Sequence, residues 1–227
     1  MEIITNEKLV KRNARLGQIT SILALLILAG GMIISFTKPA LFTLSMISLI
    51  VGFFLSQVGI YYGNRWGRHP RPDEVLSASL KGLDDRFALY NYTTATSHLL
   101  VGPAGVWVLI PHHQNGLITY DPKKKRWNQK GGNLYLKIFA QDGMGRPDLE
   151  ISAEVDAIKK YLGKLLPDEN PAIQAALVFT SDKAEVNADE APSPTLHAKK
   201  LKDYIRKQTK EKPYSTDKSA QIRKALE

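Results

Sequence analysis

Two long apolar segments occupy the first third of the chain, and the remaining two thirds mix apolar and polar residues. Residues 17–36 and 41–62 contain no charged side chain. Each has about the 20 residues that a helix needs to cross roughly 30 Å of hydrocarbon. Residues 37–40 between them are too few for anything but a tight turn, so we predict an antiparallel hairpin of two transmembrane helices. A cleaved signal peptide or a pair of buried core helices is disfavoured, because two such segments lie side by side.

The charges that flank the two apolar segments predict their orientation. The basic flanking residues are Lys8, Lys11, Arg12 and Arg15 before the first segment, and Arg65, Arg68 and Arg71 after the second. The turn between the segments has only Lys38. Cytoplasmic flanks of membrane spans are enriched in Lys and Arg. We therefore expect a multi-pass protein of the cell (plasma) membrane with both termini in the cytoplasm.

The rest of the chain alternates between strand-like and helix-like patterns. Strands are predicted at residues 87–92, 97–101, 106–110, 117–120, 134–140 and 173–180, and helices near residue 72 and at residues 147–166, 194–207 and 215–226. Residues 180–195 are polar and are predicted to be an exposed loop, whose acidic residues match no calcium-binding spacing. This order predicts an α/β domain with a mixed sheet and flanking helices.

We divide the chain into five parts on this basis. They are a basic cytoplasmic N-terminus at 1–15, the transmembrane hairpin at 16–62, a basic linker at 63–71, the α/β domain at 72–208, and a basic tail or helix at 209–227.

Composition narrows the chemistry. The 227 residues include no Cys, which excludes disulfides and Cys-ligated zinc. The formal net charge of +9 favours polyanions as partners, either nucleic acid or anionic lipid headgroups. The clearest candidate contact is the run Lys123, Lys124, Lys125 and Arg126, which Trp127 follows. A solvated hairpin turn beside one core aromatic is the alternative that we favour for this run.

One stretch resembles a known family. It begins with Ser97-His98-Leu99-Leu100-Val101-Gly102-Pro103-Ala104-Gly105-Val106-Trp107-Val108-Leu109 and continues with Gly116-Leu117-Ile118 and Trp127-Asn128-Gln129. This stretch resembles the NERD domain, a nuclease-related domain, over roughly residues 72–207. The resemblance implies a restriction-endonuclease-like core, in which an Asp and a Glu-x-Lys motif on adjacent strands hold a divalent metal at the scissile phosphate.

The residues that the resemblance assigns to catalysis are replaced in this chain. Ser97 stands at the Asp position, Ile110 at the Glu position and His112 at the Lys position. Glu74 matches an acid of the first helix, and Glu150 lies where the family often has a helical Gln. The resemblance therefore implies a degenerate, catalytically inactive member with neither a metal nor a cofactor.

Two functions from different classes remain open. The first is a membrane-tethered binding or scaffold module, and the second is a metal-dependent nuclease with a rearranged active site. The neighbouring His112 and His113 do not favour a metal site, because adjacent side chains on a strand point to opposite faces. Transport is disfavoured, because neither apolar segment carries an intramembrane charge.

Overall fold

The computed structural model describes residues 1–131 and 143–226. Two compact units are present: residues Glu7–Arg71 form one, and Met1–Asn6 together with Pro72–Glu227 form the other. The strand predicted at residues 134–140 lies outside the described residues.

The first unit is a helical hairpin, as the apolar segments predict. Helix α1 spans Glu7–Thr37 and helix α2 spans Phe42–Tyr62. A 3₁₀ turn, Pro39–Leu41, joins the two helices, and a π-helical turn, Gly63–Gly67, follows α2. Among the described residues, α1 and the helical stretch that contains α2 are long and apolar enough to cross a membrane.

Small residues form the seam between α1 and α2. They recur every seven residues: Gly17, Ala24 and Gly31 are buried in α1, and Ser45, Gly52 and Gly59 are buried in α2. The hydroxyl of Ser45 donates a hydrogen bond of 2.9 Å to the carbonyl of Gly31. A Cβ atom placed on Gly52 would lie only 2.6 Å from Cγ of Leu28. The helices therefore approach so closely that several seam positions accept only the smallest side chains.

The second unit contains a six-stranded mixed sheet with the order β1-β2-β3-β4-β7-β9. The strands are β1 Glu2–Thr5, β2 Ala88–Asn91, β3 His98–Gly102, β4 Gly105–His112, β7 Ile173–Phe179 and β9 Thr195–His197. Strands β2, β3 and β4 form an antiparallel meander. Strand β7 is parallel to β4, and β9 is parallel to β7. The carboxyl ends of β4, β7 and β9 consequently meet at one edge of the sheet.

A second sheet is built from three strands in the order β6-β5-β8. They are β5 Gly116–Asp121, β6 Arg126–Lys130 and β8 Ala184–Asn187. Strand β8 lies within residues 180–195, where the sequence predicts an exposed loop, and it pairs parallel with β5. Its four residues alternate between half-buried and exposed, so the strand carries too little apolar character to stand out in the sequence.

Helices cover both faces of the larger sheet. Helices α3 (Pro72–Ser79) and α5 (Ala198–Glu211) contribute to one apolar cluster, which includes Trp107 and Leu109. Helices α4 (Pro147–Leu165) and α6 (Thr216–Leu226) contribute to the other, which includes Val108 and Ile110. The predicted α/β architecture with a mixed sheet is confirmed. The helix predicted at residues 194–207 begins later, at Ala198, because β9 precedes it.

The first residues of the chain belong to this sheet, although the hairpin separates them in sequence from the other strands. Strand β1 pairs parallel with β2, from Glu2 beside Ala88 to Thr5 beside Asn91. The Arg223 guanidinium lies 2.9 Å from a carboxylate oxygen of Glu2. Helix α1 begins two residues after β1, so both ends of the hairpin are joined covalently to the α/β domain.

Candidate functional site: the carboxyl edge of the sheet

Strand β4 carries two of the positions that the family resemblance singles out. Ile110 and His112 are two residues apart on this strand, so their side chains point to the same face of the sheet. The Ile110 side chain is 3% exposed and belongs to the apolar cluster that also contains Ile158 and Phe179. Ile110 therefore fills space at this position and offers no atom that could coordinate a cation or exchange a proton.

His112 is the centre of a small polar cluster. Its Nε2 atom lies 3.2 Å from Oε2 of Glu150, an ion-pair distance, although the contact lacks hydrogen-bond geometry. Its Nδ1 atom lies 3.1 Å from Oε1 of Gln114, and its ring centroid is 5.5 Å from that of Phe179. The imidazole is almost fully buried, whereas the Glu150 side chain is 48% exposed. Solvent therefore reaches this cluster from the Glu150 side.

Neighbouring polar groups extend the cluster along the sheet edge. The carbonyl of His112 accepts hydrogen bonds from the backbone N–H and the hydroxyl of Thr180, at 2.8 and 3.1 Å. Ser181 donates a hydrogen bond to the side chain of Asn115, and Nε2 of His197 lies 3.0 Å from the carbonyl of Ser181. Ligands of α/β sheets bind at the carboxyl ends of parallel strands, which is where β4, β7 and β9 place these groups.

Ser97 and Glu74, the other two positions that the family resemblance implies, lie away from this polar cluster, just before β3 and in α3. Ser97 directly precedes β3, and its carbonyl accepts a 2.8 Å hydrogen bond from the backbone N–H of Tyr92. Glu74 lies in the first turn of α3, a helix that packs on the other face of the sheet through Leu76. Within residues 1–131 and 143–226, no group of three or more His, Asp or Glu side chains is placed to hold a metal ion.

A second buried polar cluster lies where the chain leaves β1 and enters α3. Nδ1 of His98 is 2.9 Å from Oδ1 of Asn91, and the amide of Asn91 donates to the hydroxyl of Thr5 at 3.2 Å. The hydroxyl of Tyr92 lies 3.5 Å from a carboxylate oxygen of Asp73. These contacts fasten β1 and α3 to the sheet at the two points where the hairpin is attached.

The basic run forms the turn between β5 and β6. Its members are all exposed: Lys123, Lys124, Lys125 and Arg126. The backbone N–H groups of Lys123 and Lys124 donate to Oδ1 of Asp121 at 3.0 and 3.1 Å, which fixes the turn. Trp127 points the other way, because it is 8% exposed and its indole N–H donates to Asp148 at 3.1 Å. The indole is therefore part of the core and does not form an aromatic platform beside the lysines.

A groove lies between the connection from β8 to β9 and helix α5. It has a volume of about 1060 Å³ and is lined by both signs of charge, including Lys200, Lys207 and Asp189. At one end, Nζ of Lys199 lies 2.7 Å from a carboxylate oxygen of Asp182. This hydrogen bond holds the pKa of Asp182 below its ordinary value. The mixed lining gives the groove no clear preference for a charged ligand.

Sequence reasoning singled out His112 and Glu150, and the structure places them side by side. The sequence patterns did not indicate Gln114, Thr180, Ser181 or His197 as site residues. The signal that would have found them is a polar residue directly after an apolar strand, since such residues collect at one edge of a parallel sheet. No protein-family model, curated protein or solved structure matches the chain, so its function is inferred from these residues and their geometry.

Proposed function

We propose that this chain is a membrane-tethered protein whose cytoplasmic α/β domain is a degenerate, NERD-like binding or scaffold module without hydrolytic activity. The observation that carries this proposal is Ile110, a buried apolar side chain at the position where the resemblance expects a metal-binding Glu. The hairpin supplies the tether, and the plasma membrane is the proposed location.

The surface of the hairpin supports membrane insertion. Large apolar side chains point away from the α1–α2 seam along both helices, among them Leu25 at 67%, Phe36 at 80% and Phe54 at 64% exposure. Soluble monomers rarely expose contiguous apolar patches of more than a few hundred Å². Every backbone group within such helices is paired internally, which is what a bilayer requires of a spanning segment.

The pairing of β1 with β2 supports a single-sided topology. Residues before the hairpin and residues after it form adjacent strands of one sheet. A sheet cannot form across a bilayer, so both flanks of the hairpin must lie on the same side. Because the flanks contain seven basic residues and the turn contains one, that side is the cytoplasm.

The chemistry of the sheet edge favours a module without catalysis. Phosphodiester cleavage of the type that the resemblance implies needs carboxylates to hold a hard cation, which neutralises the phosphate and activates water. At this edge the carboxylate of Glu150 faces an imidazole, and the neighbouring position is the apolar Ile110. A nucleic-acid partner would contact the domain at the exposed turn of Lys123, Lys124, Lys125 and Arg126.

A metal-dependent nuclease with a rearranged site is the second candidate. It is favoured by one observation, the 3.2 Å approach of His112 and Glu150, because imidazole and carboxylate are both ligands of divalent transition metals. Such a site would need further ligands from the substrate or from water.

Incubation of the purified full chain with DNA and RNA tests these two candidates. Single- and double-stranded substrates should remain intact in detergent solution with Mg²⁺ or Mn²⁺. Metal-dependent cleavage by the unaltered protein that disappears in Glu150→Gln or His112→Ala, but not in a Lys160→Gln control at an exposed position of α4, would contradict the proposal and establish the nuclease.

A further inference from the structure

The positive charge of the chain is concentrated around the hairpin. Residues 1–71 contain eight Lys or Arg and two Glu, so this third of the chain carries +6 of the total net charge of +9. The remaining, longer part of the chain has nearly equal numbers of basic and acidic residues and carries only +3. Any strong preference for an anionic partner should therefore originate near the hairpin.

Four of these basic residues form one stripe on α1, which we call the basic stripe. It consists of Lys8, Lys11, Arg12 and Arg15. Their spacing of three, four and seven residues places them on a single face of a helix that turns by about 100° per residue. All four are exposed, and none makes a salt bridge within residues 1–131 and 143–226. The buried residues Val10, Asn13 and Gly17 lie on the opposite face of the same turns.

The same face of α1 becomes apolar one turn further on. Ile19, Ile22, Leu26 and Ile33 continue the line of the basic stripe, with exposures of 50%, 60%, 63% and 59%. The change from cationic to apolar side chains occurs between Arg15 and Ile19. One continuous helix face therefore presents charge first and hydrocarbon next, which is the order of chemistry from the headgroups to the acyl chains of a phospholipid leaflet.

The segment after α2 adds charge at the same end of the hairpin. The π-helical turn Gly63–Gly67 packs against α1. A Cβ atom on Gly17 would lie 3.0 Å from the backbone nitrogen of Gly63, which shows how closely the two segments approach. The guanidinium carbon of Arg65 lies 5.1 Å from the ring centroid of Trp66. Aromatic and cationic residues of this kind are typical of the boundary between headgroups and hydrocarbon.

We propose that the basic stripe binds anionic phospholipid headgroups in the leaflet on the side of the α/β domain. This site rests on the proposed membrane insertion of the hairpin. The apolar continuation of the stripe favours a lipid over a nucleic acid, because a nucleic acid would engage the cations and leave the adjoining Ile19 and Ile22 without a partner. The ligand is thus a phospholipid with a net negative headgroup, such as phosphatidylglycerol.

Spin-labelled lipids test the site on the full chain in vesicles of phosphatidylcholine. The immobilised fraction of labelled phosphatidylglycerol is compared with that of labelled phosphatidylcholine by electron paramagnetic resonance. The stripe variant carries Lys8→Gln, Lys11→Gln, Arg12→Gln and Arg15→Gln. The matched control loses the same charge at the β5–β6 turn through Lys123→Gln, Lys124→Gln, Lys125→Gln and Arg126→Gln.

The unaltered chain should prefer phosphatidylglycerol by about threefold at low salt, since each basic residue near a bilayer attracts anionic lipid. The preference should fall towards one at about 1 M salt, where screening acts over about 3 Å. It should drop by at least half in the stripe variant and stay unchanged in the turn variant. A full preference in the stripe variant, or no preference in the unaltered chain, would overturn the site. Release of the unaltered chain from vesicles by alkaline carbonate would contradict the membrane insertion itself.

Discussion

The hairpin and the α/β domain place the same kinds of residue in opposite positions. In the domain, large apolar side chains such as Trp107 and Leu100 are at most 1% exposed. In residues 17–62 of the hairpin, the buried positions are Gly, Ala and Ser, and the large apolar side chains point outwards. The difference agrees with the proposed membrane insertion: water drives Leu and Trp into the core of the domain, whereas in lipid the close packing of small residues would hold two helices together.

The largest expected effect comes from a matched pair of aromatic truncations. Trp107→Ala should destabilise the α/β domain by about 3–5 kcal/mol, because it removes a buried indole and leaves a cavity. That indole packs edge-on against Tyr204, with ring centroids 5.6 Å apart, and donates to the carbonyl of Ala104 at 2.9 Å. Phe36→Ala, at a position that is 80% exposed, should leave the domain unchanged. Hydrogen exchange of β3 and β4 in detergent micelles measures the stability of the domain in each variant. Equal losses of protection in the two variants would contradict the different roles of buried and exposed aromatic side chains.

A glycine pair tests the seam of the hairpin. Gly52→Leu should push α1 and α2 apart, because a Cβ atom there would already lie 2.6 Å from Cγ of Leu28, and overpacking of this kind costs about 1–3 kcal/mol. Gly30→Leu is the control, since nothing lies within 4 Å of a Cβ atom at that position. Dipolar broadening between spin labels at the exposed positions Ile22 and Val58 should weaken in Gly52→Leu alone. Equal broadening in the two variants would show that the seam is not closely packed.

A proline pair tests the attachment of β1 with a smaller expected effect. The backbone N–H groups of Glu2 and Asn6 donate to the carbonyls of Phe87 and Asn91 at 2.9 and 3.0 Å, so the alternation of a strand directs the N–H of Ile4 towards β2 as well. Ile4→Pro removes that donor and should cost about 1–2 kcal/mol. Ile3→Pro removes a donor on the outer edge of the sheet, where proline is tolerated. Faster hydrogen exchange of β2 in Ile4→Pro than in Ile3→Pro is expected, and the reverse order would contradict the observed pairing.

The sequence predicts the local elements of this fold better than its long-range ones. The β3–β4 pair is recognisable because Gly102 and Pro103 mark the turn between two apolar runs, and α4 is recognisable from its helical spacing. Strand β1 is not recognisable, because its four residues pair with a strand more than 80 residues away. The sequence predicts a helix that starts at Pro194, because the three residues of β9 are too few to show the alternation of a strand.

The candidate site shows the same division. His112 and Glu150 were identified through the family resemblance, which supplies their positions along the chain. Their 3.2 Å approach depends on the packing of α4 against β4, which no local pattern specifies. The seven-residue repeat of the hairpin seam, in contrast, is visible in the sequence as Gly17, Ala24 and Gly31, because helical geometry alone brings these residues to one face.

The proposed topology can be measured directly, because the chain contains no Cys. Single cysteines introduced as Lys38→Cys in the hairpin turn and Lys124→Cys in the β5–β6 turn are treated with a membrane-impermeant maleimide in intact cells. Both side chains are exposed, so reactivity reports the side of the membrane. We expect Lys38→Cys to be labelled from outside and Lys124→Cys to be labelled only after the cells are permeabilised. Labelling of Lys124→Cys in intact cells, or protection of Lys38→Cys until permeabilisation, would contradict a hairpin that holds the α/β domain in the cytoplasm.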